Sequence, residues 1–387
     1  MRDHLTLHFA DGSVIGAWES FTLRDDYTDP LGSMEFVAAP PRGRIAEYAA
    51  RLAKGEKVTV KINDIPQATV LIESVRTRIG ASSGTTFTLR CKSMLAPMFV
   101  GSVSPPDYTF RSKSDTPISN VVLAIAGPYG FDTLIGDEQA NRDAITGRPI
   151  GGQGAKLPID RLKYNEAQAH EGETAYSMIA RLITRLGVCL RCSWDGQLML
   201  SRPNYEQAAS YALVQSFSPG APGDAFVGDI DIEDTNEGQF SAASVRGQAP
   251  DKHHSARAAR PTAVVTASQM GDGTFHTYRS TAAPFRPRLL VDKNARDRER
   301  CQSVAKLALG IPARKAFTIR GEVNGFSAKT GAIWNVDTVV TVRIDALKLH
   351  ADMWILEREF RQDRKGGQST SLTVIPKGFL VLGEAPH

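Results

Sequence analysis

Three carboxylates at alternate positions form the clearest candidate functional surface in the sequence. Asp229, Asp231 and Glu233 alternate with Ile230 and Ile232. Successive side chains of a β-strand point to opposite faces, so this spacing predicts a strand with the carboxylates on one face and the isoleucines on the other. Two interpretations stay open: an ordinary solvent-facing strand, or an acidic wall that faces a channel or a basic partner surface.

Cysteine and histidine patterns give little support for a metal site. Cys189 and Cys192 form a CxxC pair, but they lie on a predicted strand, where positions i and i+3 face opposite ways, and the chain has no second pair. A further group in a predicted loop consists of Asp251, His253, His254 and His276. Its spacing matches no zinc pattern. We therefore predict no metal and no cofactor.

The sequence also lacks common motifs of nucleotide-binding and hydrolytic enzymes. It contains no GxxxxGK[ST], no GxSxG and no HExxH. The Gly-Gly-Gln-Gly stretch at 151–154 has no clear strand-to-helix context, and we interpret it as a flexible turn. We predict that the protein is not an enzyme.

Composition places the chain among folded proteins with several domains. Its 387 residues are 42% hydrophobic and 23% charged, which excludes a disordered chain and predicts about two to four domains. The 46 basic and 42 acidic residues are too evenly balanced to indicate nucleic-acid binding. Four cysteines favour free thiols in a reducing compartment. No apolar run is long enough to span a bilayer and residues 1–11 lack a leader pattern, so we expect neither stable membrane insertion nor export by a leader.

Alternating strand patterns dominate both ends of the chain, and helical patterns lie between them. The predicted fold class is mainly β with α+β parts: two β-barrels with an inserted α/β module. We predict a first barrel at 1–98, an α/β module at 99–205, a second barrel at 206–250 with 316–387, and a basic insertion at 251–315. Within that insertion we expect a long loop followed by a helix over 292–309 that ends at the Gly-Ile-Pro of 310–312.

Internal similarity supports the duplication of the barrel. The VTVKI of 58–62 matches the VTVRI of 340–344, and LIE at 71–73 and ILE at 355–357 follow them. The α/β module carries a weaker repeat, in which an acid and a threonine precede an amphipathic helix and a glycine, at 115–130 and 173–187. The basic residues of 251–320, 14 Lys or Arg against 5 Asp or Glu, form either a solvated face or a docking arm for an acidic neighbour.

An ordered series of segments carries a family resemblance over nearly the full length. The series comprises WESFTLRD at 18–25, Asp29-Pro30, 173–187, DGQLMLSRP at 195–203, 240–248, Trp334-Asn335, 340–345 and 372–376. As a set, these segments resemble the baseplate hub proteins of contractile-tailed phages, in particular the tail protein P group of Mu-like phages in the late control protein D-like superfamily.

The resemblance implies a structural role in a virion. Hubs of this family are homotrimers whose subunits each contain two tail-tube-like barrels, so that six barrels form a ring. That ring joins a six-fold tail tube to a three-fold cell-puncturing spike and leaves a channel for DNA. The implied partners are the spike, the tube and other baseplate proteins, and the implied location is the tail baseplate, assembled in the host bacterial cytoplasm. The acidic row at Asp229, Asp231 and Glu233 would face the channel or a subunit seam.

Two other functions stay open at this point. A tail-associated peptidoglycan hydrolase needs a cleft with paired carboxylates or a metal set, and the sequence offers neither pattern. A generic β-rich binding module would differ from a hub in being monomeric.

Overall fold

The computed structural model describes the strands and helices that form the sheets and cores of the molecule. It describes residues 3–80, 84–103, 116–136, 161–162, 169–183, 188–205, 207–217, 220, 222–235, 240–247, 261–266, 285–292, 298–313, 316–364 and 366–377. The Asp251, His253, His254 and His276 group and the glycine stretch at 151–154 lie outside these residues.

The described secondary structure is mostly strand, and the predicted fold class is confirmed. The strands are β1 (Leu5–Phe9), β2 (Val14–Ile15), β3 (Ser20–Asp26), β4 (Asp29–Ala38), β5 (Lys57–Ile62), β6 (Ile65–Gly80), β7 (Gly84–Ser93), β8 (Thr116–Pro117), β9 (Leu134–Gly136), β10 (Arg161–Leu162), β11 (Cys189–Cys192), β12 (Leu198–Ser201), β13 (Tyr211–Gln215), β14 (Asp224–Asp234), β15 (Ala242–Arg246), β16 (Thr262–Thr266), β17 (Pro287–Val291), β18 (Phe317–Asn324), β19 (Val339–Ile344), β20 (Leu349–Asp363) and β21 (Gly367–Pro376). The α-helices are α1 (Ile45–Arg51), α2 (Ala96–Val100), α3 (Ile118–Ala126), α4 (Ala175–Ile183) and α5 (Arg298–Ala313).

One continuous sheet of thirteen strands contains both barrel regions. Its order is β19-β13-β14-β18-β21-β20-β3-β4-β7-β6-β5-β1-β2, and an additional pairing of β19 with β20 closes the first six into a barrel. The other seven strands continue from β20 through β3. Buried side chains of both regions form a single hydrophobic cluster, so the two halves share a core.

The duplicated barrel pattern is visible in the register of the strands. β5, β6 and β7 form consecutive antiparallel pairs, and β19, β20 and β21 do the same. Both units have an irregularity at the same place, between Ile72 and Ser74 in β6 and between Ile355 and Glu357 in β20. Ile72 therefore corresponds to Ile355, one position away from the match suggested by the LIE and ILE letters.

The first residue of the described chain ties the two ends of the protein together. Asp3 Oδ2 accepts hydrogen bonds from the backbone N–H groups of Phe326 at 2.7 Å and Ser327 at 3.2 Å. Its other carboxylate oxygen accepts a 2.7 Å bond from the Asn63 amide. Asp3 thus satisfies donors in both barrel regions at once.

Helices α3 and α4 pack with the β9-β12-β11 sheet around a second apolar core. At the start of α4, the Thr174 hydroxyl accepts a 3.1 Å bond from the Ser177 N–H. Just before it, the Glu173 carboxylate accepts bonds of 2.8 and 2.9 Å from Arg181 and one of 2.9 Å from the His170 N–H. Burial alone raises the pKa of Glu173, but these bonds outweigh it and the net pKa lies below the ordinary value.

The segment between β14 and β18 differs from our expectation. β15, which we placed in the second barrel, instead pairs with β16 and β17. β16 lies in a segment that we expected to be a loop. Its buried residues, Ala263 and Val265, alternate with the exposed Thr262 and Val264, but the adjacent valines hide this alternation in the sequence. This three-stranded sheet packs on α5 around a small core of its own.

Helix α5 also continues past the stop that we expected. A proline near a helix end removes one N–H donor, and the carbonyl left without it is that of Ala308, four residues before Pro312. The Arg288 guanidinium lies 3.3 Å from that carbonyl oxygen and donates to it. The helix extends to Ala313 instead of ending before the proline, and the Arg288 contact satisfies the carbonyl that the proline leaves without its usual donor.

No helix among the described residues is long and apolar enough to cross a bilayer.

Replacing Phe360 with alanine tests the shared core. The ring is fully buried on β20, and its centroid lies 5.1 Å from that of Phe326. We expect Phe360→Ala to lower the free energy of unfolding by about 3–5 kcal/mol, because it leaves a cavity in the hydrophobic cluster to which both barrel regions contribute. The measurement is chemical denaturation followed by circular dichroism. Leu347→Ala, at a 44% exposed position, is the control and should change stability little. Equal effects of the two changes would contradict a shared core.

Replacing Glu173 with glutamine should make stability less dependent on pH. The folded pKa of Glu173 is depressed, so its contribution is present above its ordinary pKa of 4.5 and is lost as pH falls through the lower folded value. We expect Glu173→Gln to lower stability by about 1 kcal/mol at pH 7 and by progressively less in acid. Thermal melting from pH 7 to pH 3 measures this, with the exposed Glu171→Gln as control. A destabilisation that did not diminish between pH 7 and pH 3 would contradict the assignment.

Candidate functional site at the barrel junctions

The acidic row lies on β14, and its carboxylates face away from the core as the alternation predicts. Ile230 and Ile232 pack against the main hydrophobic cluster. The side chains of Asp231 and Glu233 are 73% and 50% exposed. Arg320 of the neighbouring β18 lies 3.8 Å from Asp231 and 3.9 Å from Glu233. One partly exposed arginine at these distances leaves most of the acidic surface open to another partner.

A bulge separates the acidic row from the start of the same strand. The register between β14 and β18 shifts between Val227 and Asp231, and Gly228 in this interval has φ of 75°. A positive φ is easily adopted by glycine, which allows the chain to bend there. Asp229 follows directly and, like the other two members of the row, is exposed.

A buried ionic cluster lies where the two barrel regions meet the α/β module. Asp25 of β3 accepts a 3.0 Å bond from Arg191 of β11, and it lies 3.6 Å from Arg358 of β20. The side chains of Arg191 and Arg358 are only 12% and 3% exposed. One carboxylate thus links three separate parts of the chain.

Each arginine also has neighbours that its burial requires. Arg358 donates to the amide oxygens of Gln67, at 3.1 Å, and Asn335, and to the backbone carbonyl of Trp334. The Arg191 guanidinium stacks over the ring of Tyr27 at 4.6 Å. Buried guanidinium groups need such acceptors and π-faces, because an uncompensated buried charge is strongly unfavourable.

The pKa values of the two guanidinium groups are shifted in opposite directions. Burial by itself lowers the pKa of Arg191, but Asp25 and Tyr27 raise it, and the net direction is upward. Burial lowers the pKa of Arg358, which Asp25 offsets only in part. Both groups start so far above neutral pH that they remain charged. The cluster is therefore a permanent set of charges rather than a titrating pair.

The cleft beside this cluster is small. Its volume is about 70 Å³, and it is lined by residues of β3, β4, β6, β11 and β20, including Asp25, Asp29 and Thr69. Small-molecule sites typically occupy about 300–1,000 Å³. This cleft therefore has room for water but not for the sugar chain that a peptidoglycan hydrolase would bind. Asp25, on the wall of this cleft, already contacts the guanidinium groups of Arg191 and Arg358.

The CxxC pair lies on β11, as predicted. Burial raises the pKa of Cys192 to about 11, so the thiol stays protonated at neutral pH and is a poor metal ligand. Within the described ranges, no group of three or more His, Cys, Asp or Glu side chains is placed to hold a metal ion.

Sequence reasoning did not find the ionic cluster. Asp25 belonged to the segments that carried the family resemblance, and Arg191 lay inside the CxxC pair, but nothing linked either to Arg358. The local signal of a buried charge at Arg358 is its alternation with the apolar Leu356 and Phe360 on β20.

Comparisons with known proteins agree with the resemblance seen in the sequence. Residues 313–378 match the family described as "Tail protein, C-terminal domain". The whole chain is 22% identical over 391 residues to the baseplate hub protein gp44 of Escherichia phage Mu, of which the match covers 91%.

Two solved structures share the fold over almost their full length. The tail protein from Neisseria meningitidis MC58 superimposes with a TM-score of 0.72 and 18% identity, covering 100% of this chain and 99% of that one. The 43 kDa tail protein of prophage MuSo2 from Shewanella oneidensis gives 0.68 and 17%, covering 97% and 99%. The expected resemblance is confirmed, and the chain has the fold of these phage tail proteins.

Replacing Arg358 with alanine tests the ionic cluster. The change leaves buried acceptors on Gln67, Asn335 and Trp334 without their donor, and we expect it to lower the free energy of unfolding by about 3–5 kcal/mol. Chemical denaturation measures the change. Arg361→Ala on the same strand, where the side chain is 55% exposed, is the control and should cost at most about 1 kcal/mol. Similar losses from both variants would contradict the assigned role of Arg358.

Proposed function

We propose that this protein is the central hub of a phage tail baseplate. The observation that carries the proposal is the fold shared over the full chain with Mu-like phage tail proteins, together with the similarity to a named baseplate hub protein. The likeness covers both barrel regions and the module between them, so it concerns the whole architecture and not one domain. The proposed role is structural rather than enzymatic.

The duplicated barrel pattern supports a specific assembly. Each chain contains two similar units, so three copies contain six. A closed ring places its copies in equivalent positions around one axis, and the six units would then surround that axis. Such a homotrimer would offer a nearly six-fold face to the tail tube and a three-fold face to the spike. It would also contact other baseplate proteins. The protein would be assembled in the host bacterial cytoplasm and retained in the virion.

The proposed ring encloses a channel for DNA. An acidic surface near that channel would repel the phosphate backbone of passing DNA, and this long-range repulsion would prevent adhesion. The carboxylates of Asp229, Asp231 and Glu233 are exposed on the outer face of the barrel wall, which is the face available to a channel or to a subunit seam.

The molar mass in solution tests the proposal. We expect light scattering over a range of concentrations to give a mass near three times 42.0 kDa, and negative-stain microscopy to show rings with a central hole. A matched sample with purified spike and tube proteins should form a larger complex. A chain that stayed monomeric even with both partners would contradict the hub assignment. A zymogram on cell walls distinguishes the hydrolase alternative, which predicts clearing.

A further inference from the structure

We propose that β6 of one copy pairs with β14 of the next copy, as antiparallel strands in which Arg76 faces Glu233 and Arg78 faces Asp231. The inference rests on the proposed ring and names the strands that join its subunits. It assigns the acidic row to a subunit seam.

Both strands have a free hydrogen-bonding edge in the described structure. β5 covers one edge of β6 only as far as Leu71, so residues 74–80 pair with β7 alone. β13 pairs with β14 only at Asp224 and Ala225, so residues 226–227 and 231–233 have strand pairing on the β18 side alone. Long exposed edges of this kind invite pairing with another chain unless an assembly covers them.

The duplication identifies which edges belong together. The shared irregularity makes Ser74–Gly80 of β6 equivalent to Glu357–Asp363 of β20. The same equivalence extends to the neighbouring strands. In the first unit β7 pairs with β4 and β4 with β3, and in the second unit β21 pairs with β18 and β18 with β14. Matching these registers makes Leu23 of β3 equivalent to Ile232 of β14. Within the chain, β20 and β3 pair with each other through seven positions. Their equivalents, β6 and β14, are the two strands that carry free edges.

The pairing of β3 with β20 inside the chain also predicts the register of the proposed pairing of β6 with β14 between copies. In the chain, Glu359 faces Arg24 and Arg361 faces Thr22. Transferred to the equivalent positions, Arg76 faces Glu233 and Arg78 faces Asp231. Opposite charges directly across antiparallel strands are stabilising, whereas like charges there are unfavourable. The register derived from the duplication therefore places opposite charges across from each other at both positions.

Exposure and partners support the same contact. Arg76 and Arg78 are exposed, and among the residues that the structure describes neither takes part in an ion pair within 4.0 Å. On the opposite face of β6, Ile79 is 80% exposed, which is unusual for a large aliphatic side chain. The proposed register places Ile79 across from Ile230, so the contact would cover it.

The contact is head-to-tail, because it joins different surfaces of the two partners. A heterologous contact of this kind closes into a ring when its rotation is a whole fraction of a turn. It repeats the arrangement of the internal β3–β20 junction, so internal and external junctions alternate around the ring.

Cysteine pairing tests the register directly. In oxidised Arg78→Cys/Asp231→Cys, we expect disulfide-linked dimers and trimers on non-reducing gels, and neither single variant should give them. Thr22→Cys/Arg361→Cys is the matched control, since it occupies the equivalent internal positions and should form a disulfide without any change in mass. If the control closes its disulfide and the test pair yields no linked oligomers, the proposed pairing is wrong.

Charge reversal tests the energetics and separates this inference from the hub assignment. We expect Arg76→Glu/Arg78→Glu to raise the concentration needed for assembly about tenfold or more, and Asp231→Arg/Glu233→Arg to do the same. The fourfold variant should recover assembly, because it restores opposite charges. Circular dichroism confirms that each variant folds. Trimers of unchanged affinity in both reversals would overturn the seam while leaving the hub assignment intact, whereas monomers of the wild-type chain under all conditions would overturn both.

Discussion

Backbone pairing between β3 and β20 is the connection on which the rest of the structure depends. These strands lie far apart in the sequence, yet seven positions pair between Ser20–Asp26 and Glu357–Asp363. The pairing turns two sheets into one and brings their apolar faces into a single core. It also brings Arg358 next to Asp25, so a buried charge on one strand is balanced from the other. Without this junction, both charges would lose a partner that burial makes necessary.

Much of the strand content could be predicted from the sequence, because alternation is a local signal. The patterns at 58–62 and 340–344 predicted β5 and β19, and the helical spacing after Thr174 predicted α4. What could not be predicted is how the strands of the two halves connect. Strand order depends on pairing over hundreds of residues, and alternation says nothing about the partner. The β15-β16-β17 sheet was missed for a related reason, because β15 was assigned to the second barrel and the short β16 and β17 lie in the segment that we expected to be an insertion.

The candidate site was predicted unevenly for similar reasons. The orientation of Asp229, Asp231 and Glu233 followed from the period of a strand, and the structure places them on the exposed face. The opposite charges at Arg76 and Arg78 have the same spacing, but they stand about 150 positions earlier in the sequence. Their relation to the acidic row emerges only from the register of the duplicated hairpins. The ionic cluster around Asp25 is a tertiary feature whose members come from three separate segments.

The length of β20 has a mechanical consequence. This fifteen-residue strand pairs with β19 in its first part and with β3 in its last part, so it belongs to the barrel wall and to the junction at once. A flexible linker between the barrels would let them pivot, whereas a shared strand makes any change of angle break backbone hydrogen bonds. A load applied along the strands would be borne in shear by many such bonds together. The two barrels should therefore behave as one stiff body, able to pass force from one end of the molecule to the other with little loss to internal bending.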